Sequence, residues 1–329
     1  MNNRLIKNFL FVFLLFSCNQ DDATGEPPTS IISPISTKAK NFLNEFVDIV
    51  EANSINRHKI NWVDFRDKVF EKVEGAQTIA NTYPGIREAL IMLGDNHSFL
   101  TKPDGTLIFA GNLKCNSPSI STPSLPGNVG YVKVNSFSGP SNNNAAISFA
   151  EGIQNQIRSN DHSEVIGWIV DIRGNRGGNM WPMLAGIGPI LGEGNAGYFI
   201  DADDNQTSWG FQDGSSLING IEVTELNNSY ELITPDPKVA VLLDSGIASS
   251  GEVIAISFIG REDTKSFGSS TCGLSTSNES FILSDNSTLN LTTAYLADRN
   301  KNLYGIPVNP DFVVTNEKII QNVLEWIEN

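Results

Sequence analysis

The octapeptide SGIASSGE, Ser245 to Glu252, lies between a strand-like apolar run, KVAVLLD, and a helix-like apolar run, VIAISFI. A serine at a strand–turn–helix junction sits at the tip of a turn. The first turn of the helix then offers unpaired N–H groups to whatever binds there. That setting suits a nucleophile. It also suits a helix cap, because Ser249 and Glu252 have the spacing of a capping box. A second segment, DIRGNRGG (Asp171 to Gly178), follows the apolar run VIGWIV. Glycines after a strand let the backbone approach a ligand and turn its N–H groups outward, as an oxyanion hole requires. The bland alternative is a tight turn. The glycines at 174, 177 and 178 do not match a phosphate loop. A third segment, LGDNHSFL (Leu93 to Leu100), carries His97 among polar residues after a helical pattern, whereas His58 and His162 are flanked by charges. A lone histidine is more often structural than catalytic; His97 gains weight from the other two segments. A serine nucleophile needs a base for its proton and donors for the oxyanion, and each has a candidate here.

The elements that would position these groups follow from periodicity. Between Thr37 and Leu93, Phe42, Phe46, Ile49 and Val50 share one helical face, as do Trp62, Phe65, Val69 and Val73, and then Ile79, Tyr83, Ile86 and Leu90. This predicts a three-helix unit. From Val129 onward, β-branched runs (GYVKVNSF, VIGWIVDIR, KVAVLLD, TKSFG, TLNLTTA) alternate with helical segments, which predicts an α/β core. The last segment, NEKIIQNVLEWIEN, has helical spacing.

At the N-terminus, Arg4 and Lys7 precede the apolar run FLFVFLLF, and Ser17 and Cys18 follow. The run is shorter than the ~20 residues of a membrane span and reads as a targeting segment. LLFSC resembles the lipobox of bacterial lipoproteins, in which the cysteine is lipidated; a plain signal peptide is the alternative. The expected organisation is a lipoprotein signal peptide over 1–17, a flexible Asp-, Pro- and Ser-rich tether over 18–36, a helical subdomain over 37–100 and the α/β catalytic core over 101–329. Lipidation at Cys18 would anchor the chain to the membrane on the cell envelope. Net charge is −15 with no basic cluster, which argues against a nucleic-acid partner. The two remaining cysteines, Cys115 and Cys272, either pair in an oxidising compartment or stay as free thiols, and neither has metal-ligand spacing.

Taken in order, GYVKVNSF, VIGWIVDIRGNRGG, KVAVLLDSGIASSGE, TKSFGSSTCG and GIPVNPD closely resemble the core of the tail-specific (carboxy-terminal processing) serine peptidase family, and LGDNHS resembles a segment that precedes it. The resemblance covers roughly Leu93 to Asp311. It implies a ClpP/crotonase-like α/β core, a peptide or protein substrate and no metal or organic cofactor. It also assigns Ser249 as nucleophile, with an oxyanion hole from the N–H of Ser250 and of Gly177 or Gly178. The processing branch uses a lysine base, but Leu274 stands at that position and cannot accept a proton. The tricorn-like branch uses a histidine, and its motif aligns on His97. The acid of that branch has no counterpart at Tyr304 or Asn302, which leaves Asp298 or Asp95 to orient His97. About 30 residues separate His97 from Val129, too few for a PDZ domain of ~50 or more. Two functions follow as expectations: a lipid-anchored serine peptidase, or a silent ligand- or peptide-binding module on the same scaffold.

Overall fold

Ser36 opens the helical unit by accepting from the Ala39 N–H at 3.2 Å, and α1 (Thr37–Asn53) buries Phe42, Leu43, Phe46, Val47 and Val50. The computed structural model describes residues 33–111, 115–116 and 120–329. Asn61 caps α2 (Trp62–Glu71) through its side-chain oxygen, and α3 (Tyr83–Leu93) ends at Gly94 with φ 72°. Gly85 of α3 lies against α2 so closely that a Cβ there would meet the Val69 carbonyl at 2.8 Å. The expected three helices are present, with a 3-10 turn, Ile79–Thr82, leading into the third.

Two short strands follow, β1 (Phe99–Thr101) and β2 (Leu107–Phe109). The chain then alternates: β3 (Val129–Lys133), α4 (Asn144–Asn160), β4 (Gly167–Asp171) and α5 (Met180–Leu191). Four antiparallel strands interrupt this alternation, β5 (Gly194–Asp201), β6 (Gln206–Gln212), β7 (Ser215–Ile218) and β8 (Ile221–Glu225). It resumes with β9 (Lys238–Leu243), α6 (Ser250–Ser257) and β10 (Thr264–Gly268). After the hairpin strands β11 (Thr276–Ile282) and β12 (Thr288–Asp298) come β13 (Phe312–Val313) and α7 (Ile319–Glu328).

One sheet has the order β13-β10-β9-β4-β3 with every pairing parallel. The α/β core is as expected. All five residues of β4 are buried, because helices cover both faces of a parallel sheet. On one face Met183, Leu184 and Ile187 of α5 pack with Trp168, Val170 and Val241. On the other, Val323 and Ile327 of α7 pack with Ile169, Ala240 and Leu242. The second sheet runs β2-β1-β12-β5-β6-β7-β8, antiparallel, with β11 added on β12. The helical unit closes over it: Phe42, Phe46 and Leu90 share a buried cluster with Leu289 and Leu291 of β12. The periodicity did not show β5–β8 or β11. Their runs are rich in Gly, Ser, Thr, Asn and Gln, and cross-strand pairing rather than local propensity makes them strands.

Candidate active site

The turn after β9 is held by Asp244, whose Oδ1 accepts from the N–H groups of Gly246 (2.9 Å) and Gly174 (3.0 Å). Ser249 follows at φ 54°, ψ −125°, a conformation that costs a non-glycine residue about 1–3 kcal/mol and persists only where its surroundings enforce it. Glu252 is one enforcer. Its carboxylate is fully buried and accepts from the Ser249 N–H at 3.1 Å, the Gly273 N–H at 3.0 Å and the Thr271 hydroxyl at 2.5 Å. Burial pushes its pKa up to about 7, against the pull of these donors. The Ser249 side chain faces the Glu252 N–H across the other half of the box but makes no capping hydrogen bond.

The glycine loop is the other enforcer. The Asn175 carbonyl accepts from the Ala248 N–H at 3.0 Å, and the Ser250 hydroxyl donates to the Gly178 carbonyl at 2.7 Å. A Cβ on Gly177 would meet the Ala248 carbonyl at 2.7 Å and the Ser250 nitrogen at 2.8 Å. The loop has its own supports. Arg173 donates to both oxygens of Asp171, at 2.9 and 2.7 Å, while Asn175 Oδ1 accepts from the Gly177 N–H at 2.9 Å. The Gly177 N–H is therefore spent. Those of Gly178 and Ser250 donate no hydrogen bond among the described residues, and both residues line the same cleft of about 700 Å³ as Ser249.

His97 arrives from the turn after α3. Asp95 Oδ1 accepts from the N–H groups of His97 (2.8 Å) and Ser98 (2.7 Å), and Asn278 holds the His97 carbonyl at 3.0 Å. The ring Nδ1 lies 2.8 Å from Thr276 Oγ1, and Thr276 lines the cleft with Ser249. Burial lowers the His97 pKa to about 4, with nearby Asp95 raising it only in part. The ring is neutral at pH 7.

The family model of peptidase family S41 matches residues 128–314. The chain belongs to this family. This S41 peptidase is 29% identical over 269 residues to the nisin-resistance protein of Lactococcus lactis subsp. lactis, spanning 82% of this chain and 80% of that protein. In fold it is similar to a lipoprotein from Streptococcus agalactiae, with TM-score 0.72, 23% identity, and 91% and 99% of the two chains covered. It is also similar to the photosystem II D1 C-terminal processing protease, with TM-score 0.55, 17% identity, and 89% and 97% covered. The expected family and the serine-type peptidase class are borne out.

Three features of this S41 peptidase lay beyond sequence reasoning. Thr276, not an acid, partners His97. Asp298 lies elsewhere: its carboxylate accepts from the N–H groups of Asn300 (2.9 Å) and Asn302 (3.0 Å), the Asn302 side chain (2.9 Å) and the Tyr304 hydroxyl (3.3 Å), closing a turn after β12. No signal in TSNES marked Thr276, because β11 itself was not legible. Cys115 and Cys272 form a disulfide across 157 residues. The Cys272 N–H donates to the Ile247 carbonyl at 2.8 Å, so the bridge ties the 115–116 segment to the serine turn. Lys265 pairs with Asp311 at 3.5 Å, and the other histidines are also placed away from the serine turn: His58 on Asp203 at 2.7 Å and His162 on the Gly127 carbonyl at 2.9 Å. The signal segment, Cys18 and most of the tether lie outside the described residues.

Proposed function

We propose that this S41 peptidase is exported, anchored by lipid at Cys18, and cleaves peptide bonds through Ser249 with His97 as base. One observation carries the reading. Ser249 is held in a strained turn and lines a cleft together with Gly178 and Ser250, whose N–H groups donate no hydrogen bond among the described residues. In this mechanism Ser249 Oγ attacks the scissile carbonyl, and His97 Nε2 takes its proton and later returns it to the leaving amine. That role requires the tautomer with Nδ1–H donating to Thr276 Oγ1, which leaves the Nε2 lone pair free. Thr276 is a positioning residue here. The developing oxyanion is held by the N–H groups of Ser250 and Gly178 rather than Gly177, whose N–H already serves Asn175. Asp298 has no part in the reaction.

A fluorophosphonate probe tests this reading. Wild-type protein is labelled, Ser249→Ala is not, and His97→Ala is labelled ~100-fold more slowly. Wild-type protein that resists the probe while binding peptides is the binding module of the alternative reading. Its similarity to a nisin-resistance protein makes nisin a defined substrate to try. Lipidation predicts detergent-phase partitioning of the full chain that is lost in Cys18→Ala; partitioning that persists would refute the anchor.

A further inference from the structure

Cys272, Gly273 and Leu274 form a short arch between two pinned residues. Thr271 is pinned on one side: its N–H donates to the Val308 carbonyl at 3.0 Å, and its hydroxyl oxygen accepts from the Val308 N–H at 2.8 Å. Ser275 is pinned on the other, donating to the Ile306 carbonyl at 2.7 Å and accepting from the Gly305 N–H at 2.8 Å. The arch stands against the serine turn. The Cys272 N–H donates to the Ile247 carbonyl at 2.8 Å, and the Gly273 N–H donates to Glu252 at 3.0 Å. Glu252 is the buried carboxylate that holds the Ser249 N–H. The position of the arch is therefore passed to Ser249 through one side chain.

The other end of the disulfide lies at the same site. Asn116, next to Cys115, donates to Ser245 Oγ at 3.1 Å, and Arg176 of the glycine loop donates to the Asn116 carbonyl at 3.3 Å. The bridge thus joins a segment resting on the serine turn and the glycine loop to the arch behind Glu252. Both cysteines are half-buried and stand outside the buried clusters that hold the two sheets together. A small thiol reagent reaches such a pair far more readily than one sealed in a core.

We infer that the Cys115–Cys272 disulfide is a reversible switch on the peptidase site, with the serine turn set for attack in the disulfide form and slack in the dithiol form. This rests on the serine-peptidase reading above. Setting the switch is a thiol–disulfide exchange with a disulfide-bearing oxidant. One cysteine thiolate attacks the S–S bond of the oxidant, which gives a mixed disulfide and releases one thiolate. The other cysteine attacks the mixed disulfide, closes the Cys115–Cys272 bond and releases the second. The chain gives up two electrons and two protons, and the oxidant ends as two thiols. A dithiol reductant reverses each step. A chain made in a reducing compartment is thereby idle until it reaches an oxidising one. In the dithiol form the pins at Thr271 and Ser275 remain, so His97 keeps Thr276. What slackens is the grip of Gly273 on Glu252, and with it the conformation of Ser249.

The experiment takes the full chain in its disulfide form and reads fluorophosphonate labelling. Excess dithiothreitol should slow labelling about tenfold, a smaller loss than the order of 100-fold for a displacement approaching 1 Å. Oxidised glutathione should restore the rate. Cys115→Ser/Cys272→Ser should label at the reduced rate and ignore both reagents; if that variant does not fold, reduced wild type carries the test. Urea separates a local effect from general loss of stability. Disulfide-form protein, still folded in enough urea to match the stability of the reduced protein, should label within about twofold of its rate in buffer. Labelling unchanged by reduction overturns the inference, as does a double variant as fast as wild type. Equal slowing in the matched urea sample also overturns it, and so does outright unfolding of the reduced chain at the labelling temperature, because the bridge is then a structural staple only. A disulfide form that is never labelled would instead strike the serine-peptidase reading itself.

Discussion

Gly177→Ala is a sharp test of whether the glycine loop sets the geometry of Ser249. The residue sits at φ 90°, where an L side chain is strained by about 1–2 kcal/mol. Its new Cβ would meet the Ala248 carbonyl oxygen at 2.7 Å, and Ser249 Cβ and the Ser250 nitrogen at 2.8 Å. All three neighbours belong to the serine turn, and two are backbone atoms, so no side chain can swing aside. The turn must retreat by several tenths of an ångström to restore ordinary contact. That retreat is opposed by the Ala248–Asn175 and Ser250–Gly178 hydrogen bonds. A displacement approaching 1 Å at a reacting group costs on the order of 100-fold in rate. The expected result is fluorophosphonate labelling ~30- to 100-fold slower than wild type, with about 2–4 kcal/mol lost in urea unfolding. Stopped-flow or gel-based labelling gives the rate, and the unfolding midpoint gives the stability. Labelling within twofold of wild type, in a protein destabilised by that amount, would refute the claim that loop and turn are coupled.

Thr276→Val removes the only ring partner of His97 among the described residues and should slow labelling about tenfold, with Thr276→Ser restoring most of it; equal rates for Val and Ser would rule out orientation through the hydroxyl. The disulfide spans 157 residues, which in the chain-entropy model is worth about 5 kcal/mol. The double variant Cys115→Ala/Cys272→Ala should therefore melt roughly 5–10 °C lower, and an unchanged Tm would contradict this. His97 has a depressed pKa, so its contribution is full above about pH 6.5 and is lost as pH falls through about 4, on the order of 3 kcal/mol. Urea midpoints should accordingly fall less for His97→Gln than for wild type across that window. Glu252 has a raised pKa, so its contribution is full below about pH 4.5 and is lost as pH rises through about 7. The stability gap between wild type and Glu252→Gln should move in favour of the variant over that rise, and a gap that moves the other way would show the carboxylate form to be the favoured one.

Much of this protein is local and was therefore legible. The three N-terminal helices, α7, β4 and β9 each carry their own periodicity. The turn at Ser249 and the glycine loop are announced by residue types that a strand–turn–helix junction and a positive φ require. That the two segments adjoin, through the Ala248–Asn175 and Ser250–Gly178 hydrogen bonds, is a matter of tertiary packing. The antiparallel sheet was largely missed, because β5–β8 and β11 gain their strand character from partners far along the chain.

What tertiary structure decided was the partner of each group. The chain itself supplied a serine, a histidine, two candidate glycines and two candidate acids. Whether Gly177 or Gly178 keeps a free N–H depends on Asn175 Oδ1, which reaches one of them and not the other. Whether an acid or a hydroxyl stands on His97 depends on β11, which brings Thr276 across 179 residues, while Asp298 is consumed by the turn beside it. A hydrogen bond has a reach of about 3 Å, and sequence spacing says nothing about which distant groups fall within it. Residue type names what a side chain can do; only packing settles which neighbour it does it with.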